Sequence, residues 1–311
     1  MFRSLRYRVD NEQVVLVLTI LLVLGVIALT STVTFCVSGI FIIAMFILSA
    51  MLIHSHHQSL IREALPINEL RAPELSYIVE ECEKKLQPGE IDAFLVNAKQ
   101  LNAYIFGITS PKALVIYAPM LKVMTEGELK FVIGHEMGHV ALGHTWLNTI
   151  LGGMAGIPAP FGAAVLLYAA FRWWNRLCEF SADRAGLLTC GDLNLAISAL
   201  VKLVALEVRS QRDFQRALAM IDAQDDLASN RLAEAFQSHP MLIRRINELR
   251  AYAQTREYQH LQAGVNKNLG MSGASNRGPS RQTSQSEVEP AAEETPEIPP
   301  EERWPWLKPK D

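Results

Sequence analysis

Phe131 to His144 reads FVIGHEMGHVALGH, three histidines and one glutamate in an otherwise apolar run. Thr125 stands ahead of it with Glu128 three positions on, the signature of a capped helix start. Phe131, Val132, Met137, Val140 and Ala141 keep helical spacing. The stretch is therefore predicted to be a helix. His135 and His139 are four apart and project from one face. Two imidazoles so placed can hold one small cation. Glu136 is displaced around the helix, where it can take a proton from water without being a ligand. This is the H-E-x-x-H arrangement of zinc hydrolases. The apolar setting supports it, because unliganded polar rings are costly there. Gly134 and Gly138 would let another backbone approach closely.

A catalytic zinc needs a third protein ligand and an open position. The metzincin pattern would place Gly three residues after the second histidine and a third His six after it. Those positions hold Leu142 and Thr145. On a continuing helix His144 falls about 140° away from His139, and it reads as a helix-end histidine. Glu179, in CEFSADRAG, is the better candidate and would complete a His, His, Glu set. Asp183 lies one turn further on the same face, where it could accept a hydrogen bond from a ligand histidine. The plainer alternative is that Glu179 and Asp183 form surface pairs with Arg176 and Arg184.

The 311-residue chain is half apolar, with formal net charge −3. That balance argues against general nucleic-acid binding. Cys36, Cys82, Cys178 and Cys190 form no C-x-x-C pair and suggest no disulfide framework. Val14 to Ile53 contains no Asp, Glu, Lys or Arg. One helix of that length would be about 60 Å, twice the hydrocarbon core. Two short spans with a turn near Thr30 to Thr34 fit better. A removable signal peptide leaves the second run, CVSGIFIIAMFILSAMLI, unexplained. A buried soluble pair would need a polar stripe that neither run has. Arg3, Arg6 and Arg8 precede the spans, Arg62 and Arg71 follow them, and the turn is uncharged. Both ends, and all that follows, are expected on the cytoplasmic side of the inner membrane.

Ile67 to Gln87 is predicted as an amphipathic helix with Leu70, Leu75, Ile78 and Val79 on one side. IDAFLVNAKQLNAYIFGI and KALVIYAPML read as strands, with TSP as a turn. Thr145 to Phe171 is again uncharged and is broken by Gly152, Gly153, Gly156, Pro158 and Pro160. It reads either as a helical hairpin packed in the domain or as one dipping into the membrane. Helix is expected over Ser181 to Thr189, Leu193 to Val208 and Met241 to Gln254. From Gly264 the chain is Ser/Gly rich and then Glu/Pro rich, a composition that buries little. The expected organisation is a two-helix membrane anchor over 1–57, a mainly α domain with a small β-sheet (α+β, zincin-like) over 58–263, and a disordered tail over 264–311.

GHEMGH followed by EFSADRAG, with LNAYIFG upstream and SHPMLIRRI downstream, resembles the HtpX-like family of membrane-linked zinc peptidases. That family also contains the type I CAAX prenyl endopeptidases. The resemblance covers roughly Leu70 to Leu249, with four motifs in family order. It implies one Zn2+ per chain held by His135, His139 and Glu179, with Glu136 as catalytic base. It places Asn102, Ala103 and Tyr104 on an edge strand lining extended substrate. It makes His239 a residue near the reacting carbonyl, against the plainer reading of a helix-start histidine before Pro240. It gives Arg245 a supporting role. The expected partners are protein or peptide substrates and membrane lipid. Family members carry more membrane spans than this chain, which favours a globular domain tethered at the bilayer surface over a membrane-embedded chamber.

The resulting expectation is zinc-assisted peptide hydrolysis in membrane-protein quality control. A zinc-binding scaffold without catalysis would have no use for Glu136. An intramembrane protease would place H-E-x-x-H inside a spanning helix, whereas the charged EGELK, Glu126 to Lys130, leads directly into this one.

Overall fold

The computed structural model describes residues 7–33, 64–107, 110–145, 162–204 and 240–268, with isolated residues between 44 and 62. Among these the order is α1 (Glu12–Val33), β1 (Leu65–Pro66), α2 (Pro73–Leu86), β2 (Ile91–Val96), β3 (Ala103–Phe106) and β4 (Lys112–Tyr117). There follow α3 (Pro119–Val123), α4 (Glu126–Ala141), α5 (Gly162–Cys190), α6 (Leu193–Val204), α7 (Pro240–Ala253) and α8 (Arg256–Asn268). Among the described residues the fold is mainly helical with one four-stranded sheet.

The local rules that start the motif helix operate as expected. The Thr125 hydroxyl accepts from the Glu128 N–H, and the Glu128 carboxylate accepts from the Thr125 N–H at 2.7 Å. Glu128 is buried and also receives Ser198 and Lys202 from α6, which ties the start of α4 to a second helix. The sheet runs β1-β2-β4-β3. β2 and β4 are parallel, with Ile91 opposite Lys112, and β3 pairs antiparallel with β4 at one edge. Ala113 to Ile116 are buried on both faces of β4, as a central strand requires.

Leu75, Ile78, Leu114, Leu129, Ile133, Met137, Leu187, Leu200 and Ile246 belong to one buried cluster drawn from α2, β4 and α4 to α7. α4 packs chiefly along α5, and also against α2, α6 and β3. α1 docks on α5, where Val15, Trp174 and Cys178 form a separate small cluster.

Several expectations change. Leu70 precedes α2 and is 94% exposed. The side chain of Asn68 accepts from the N–H groups of Leu70 and Arg71, making a turn, and the helix begins only at Pro73. The apolar period therefore extended one turn too far. The stretch 91–108 holds two strands that are not neighbours, because β4 lies between them. α1 continues through Thr30 to Val33, where a turn was expected, and α8 reaches Asn268, past the expected start of the tail. Among the described residues no helix is long and apolar enough to cross a membrane. Most of the second apolar run, residues 146–161 of the interrupted stretch, and residues 269–311 lie outside the described residues.

Candidate metal centre

His135 and His139 lie on the face of α4 turned toward α5, and Glu179 and Asp183 lie on the facing side of α5. Glycine makes the approach possible. A Cβ on Gly138 would stand 2.6 Å from Ala185 Cβ and 3.3 Å from Ala182 Cα. One on Gly134 would collide with the Thr189 side chain, and one on Gly186 would meet the Phe131 carbonyl at 2.7 Å. The helices therefore cross backbone to backbone, and side chains from both reach a common point.

At that point Glu179 Oε2 is 3.5 Å from His135 Nε2, and Glu179 Oε1 is 3.7 Å from His139 Nε2. One ligand atom from each residue lies within 4.8 Å of the others. Four ligands at about 2.0–2.1 Å from zinc stand about 3.3 Å apart. The observed spacings are close to that edge length, and the donor set suits zinc. Geometry and donor chemistry together fit such an ion.

The surrounding groups are ordered. Asp183 is buried, with Oδ1 3.0 Å from His135 Nδ1. Arg245, on α7, donates to both oxygens of Asp183 at 2.6 and 2.8 Å, and its Nη1 stands 3.4 Å from Glu179. The expected alternative partner Arg184 instead lies over the Tyr252 ring, 4.5 Å from its centroid. Burial works against protonation of His135, but the Asp183 and Glu179 carboxylates outweigh it and push the pKa up to about 10. Burial, with His135 beside it, pushes His139 down to about 3. Burial opposes ionisation of Glu179, but Arg245 and the two histidines hold it well below the usual carboxylate range. Asp183 is depressed in the same way, chiefly by Arg245 against burial.

Glu136 shares a cavity of about 350 Å³ with His135, His139, Glu179 and Arg245. Burial pushes its carboxyl up to about 7, the range useful to a general base, while His135 and a hydrogen bond from the Ile105 backbone pull it down. Asn102, Ala103, Tyr104 and Ile105 form another wall of the same cavity, so the edge of the sheet flanks the histidines. Phe131, Val132 and Leu203 supply an apolar side. His239 lies outside the described residues.

These residues sit inside a recognised sequence family. The sequence model of peptidase family M48 matches residues 69–253, more than half of the chain. The chain belongs to peptidase family M48.

Among relatives of this M48 chain, the plastoglobule-localized metallopeptidase 48 of Arabidopsis thaliana is 28% identical over 192 residues, covering 57% of this chain and 56% of that protein. The chain thus spans little more than half of that relative's length. A protease HtpX homolog of Ralstonia pickettii is 27% identical over 230 residues, covering 63% of this chain and 79% of that protein. Protease HtpX of Hydrogenovibrio crunogenus is 26% identical over 226 residues, covering 60% and 74%. No solved structure matches the chain. The membership is HtpX-like within M48, a family of metal-dependent peptidases.

His144 stands at the helix end, as expected, but the 140° offset from His139 presumed a continuing helix, whereas α4 ends at Ala141. Gly143 adopts φ +79°, and the N–H groups of Gly143 and His144 turn back to the carbonyls of Val140 and His139 at 3.0 and 2.8 Å. This closing turn carries His144 over His139, with ring nitrogens 3.0 Å apart. The Gly143-His144 pair after the apolar run was the available signal.

Proposed function

We propose that this M48 chain is a membrane-anchored, zinc-dependent endopeptidase acting in membrane-protein quality control. The observation that carries the reading is the convergence of His135, His139 and Glu179 on one point, with Glu136 on the same cavity wall. In this reading those three residues hold one zinc per chain. Bound there, the ion supplies Lewis-acid chemistry, acidifying water and polarising a peptide carbonyl.

The chain's own residues do the rest. Glu136 takes a proton from the attacking water and returns it to the departing amine, so that water adds across the broken C–N bond. Its near-neutral pKa, set by burial, lets one carboxyl serve both steps. Asp183 holds the tautomer and tilt of His135, and Arg245 holds Asp183 and Glu179. Asn102, Ala103 and Tyr104 line an extended peptide laid along the sheet edge, the usual way an edge strand receives a strand-like ligand. His239 is assigned to oxyanion stabilisation, where loss of one donor costs about 10²–10³ in turnover.

The membrane assignment rests on the uncharged run from Val14 to Ile53 and on the exposed Val14, Val17, Leu18, Leu21 and Leu24 of α1. Residues 1–57 act as anchor, 58–263 as peptidase domain and 264–311 as tail. The flanking arginines support a domain on the cytoplasmic side of the inner membrane. The test is zinc content and casein cleavage of detergent-solubilised protein beside Glu136→Gln. Zinc in both proteins with cleavage in the wild type alone is expected. Equal cleavage by both would contradict the assigned base.

A further inference from the structure

His135 and His139 each turn Nε2 toward the metal position and Nδ1 away from it. His135 reaches Asp183. His139 reaches His144, Nδ1 to Nδ1 at 3.0 Å, and His144 Nε2 stands 2.8 Å from Glu12 Oε1. All of these groups are buried. Glu12 paired with Arg8 only accepts, so His144 Nε2 carries hydrogen. In neutral His144, Nδ1 is then the acceptor, and His139 Nδ1–H donates to it. That tautomer leaves His139 Nε2 with the lone pair a cation needs.

Glu12 is itself held in place. Arg8 Nη1 is 3.0 Å away, and the Ser181 hydroxyl donates to Glu12 Oε2. Arg8 also donates to the Leu142 carbonyl at the end of α4. The path from His139 therefore ends in a carboxylate–arginine pair, as does the path from His135 through Asp183 to Arg245. Glu12 and Arg8 lie outside the region matched to the family, 69–253.

We infer that Glu12 and His144 are positioning residues for the metal site. The base of the apolar N-terminal helix fixes the tautomer and tilt of His139 through His144, so helix and metal centre form one structural unit. The inference rests on the reading of His135, His139 and Glu179 as the ligands. Glu12, His144 and Cys178 could compete as a second cation site, since their ligand atoms lie within 4.8 Å of one another. The Arg8 guanidinium already neutralises Glu12, which disfavours a second cation there.

The test titrates the full chain in detergent with zinc against a chromophoric chelator and reads the visible bands of the Co2+-loaded protein. Glu12→Gln and His144→Phe are each expected to weaken zinc binding about 10- to 100-fold and to shift the cobalt bands. His144→Asn, whose amide oxygen can replace Nδ1 as acceptor, is expected to keep more affinity than His144→Phe. Val15→Ala trims the packing of α1 on α5 without touching the path, and is expected to leave affinity and bands unchanged. Wild-type affinity and bands in Glu12→Gln would overturn the inference. So would a loss in Val15→Ala as large as in Glu12→Gln, or a second bound cation that Cys178→Ser removes. If His135→Ala binds zinc as tightly as the wild type, the ligand assignment itself fails, and the inference with it.

Discussion

Asp183 and His135 are joined by a buried hydrogen bond of 3.0 Å, with Oδ1 accepting from Nδ1–H. The carboxylate is oriented by Arg245, which spans both of its oxygens. Orientation of this kind raises ligand basicity and fixes the ring. Asp183→Asn keeps the shape but removes the charge. It is expected to lower zinc affinity about 10- to 100-fold, measured by chelator competition. Unchanged affinity would mean that His135 needs no such support.

Gly138 sets the approach of α4 to α5. Gly138→Ala places a methyl 2.6 Å from Ala185 Cβ, and backbone stands behind it at Ala182. Overpacking of this kind costs about 1–3 kcal/mol. Denaturant titration is expected to show that loss, with weaker zinc binding because Glu179 moves away from the histidines.

Gly143 holds a left-handed conformation at the end of α4. Gly143→Ala is expected to cost about 1 kcal/mol in the same assay. Gly143→Asn, which tolerates this conformation better, is expected to cost less.

Glu81 bridges Lys85 at 2.6 Å and Lys130 at 2.8 Å, joining α2 to α4. Burial would raise its pKa, but the two lysines outweigh that and lower it from 4.5. A carboxyl with a depressed folded-state pKa contributes its stability above the unfolded value and loses it as pH falls through the folded one. Glu81→Gln is therefore expected to cost about 2 kcal/mol at pH 7. The difference from wild type should narrow as pH drops below about 4.5. Chemical denaturation at pH 7 and pH 3.5 measures both.

Local signals were legible where one element carries the information. The helix start at Thr125, the shared face of His135 and His139, and the small Gly134 and Gly138 all follow from spacing. Glu179 and Asp183 were legible as candidates because they share a face, although nothing in the spacing shows that α5 crosses α4. Long-range order was not legible. The insertion of β4 between β2 and β3 depends on pairing, and both strands read alike. The helix-end position of His144 was legible, but its approach to His139 was not, because Gly143 turns the chain back where a continuing helix would have carried it away. Glu12 lies 132 residues from His144, at the foot of an apolar run whose composition drew the reading toward the membrane. Leu70 kept the apolar period of α2 but falls in the turn before Pro73.

Glu179 decides the account, because H-E-x-x-H alone supplies only two ligands. The most direct measurement is the zinc stoichiometry of the full chain in detergent for wild type and Glu179→Gln, by chelator titration with elemental analysis. One tightly bound zinc per wild-type chain, and its loss in Glu179→Gln, is the predicted result. One zinc held with equal affinity in both proteins would contradict the assignment.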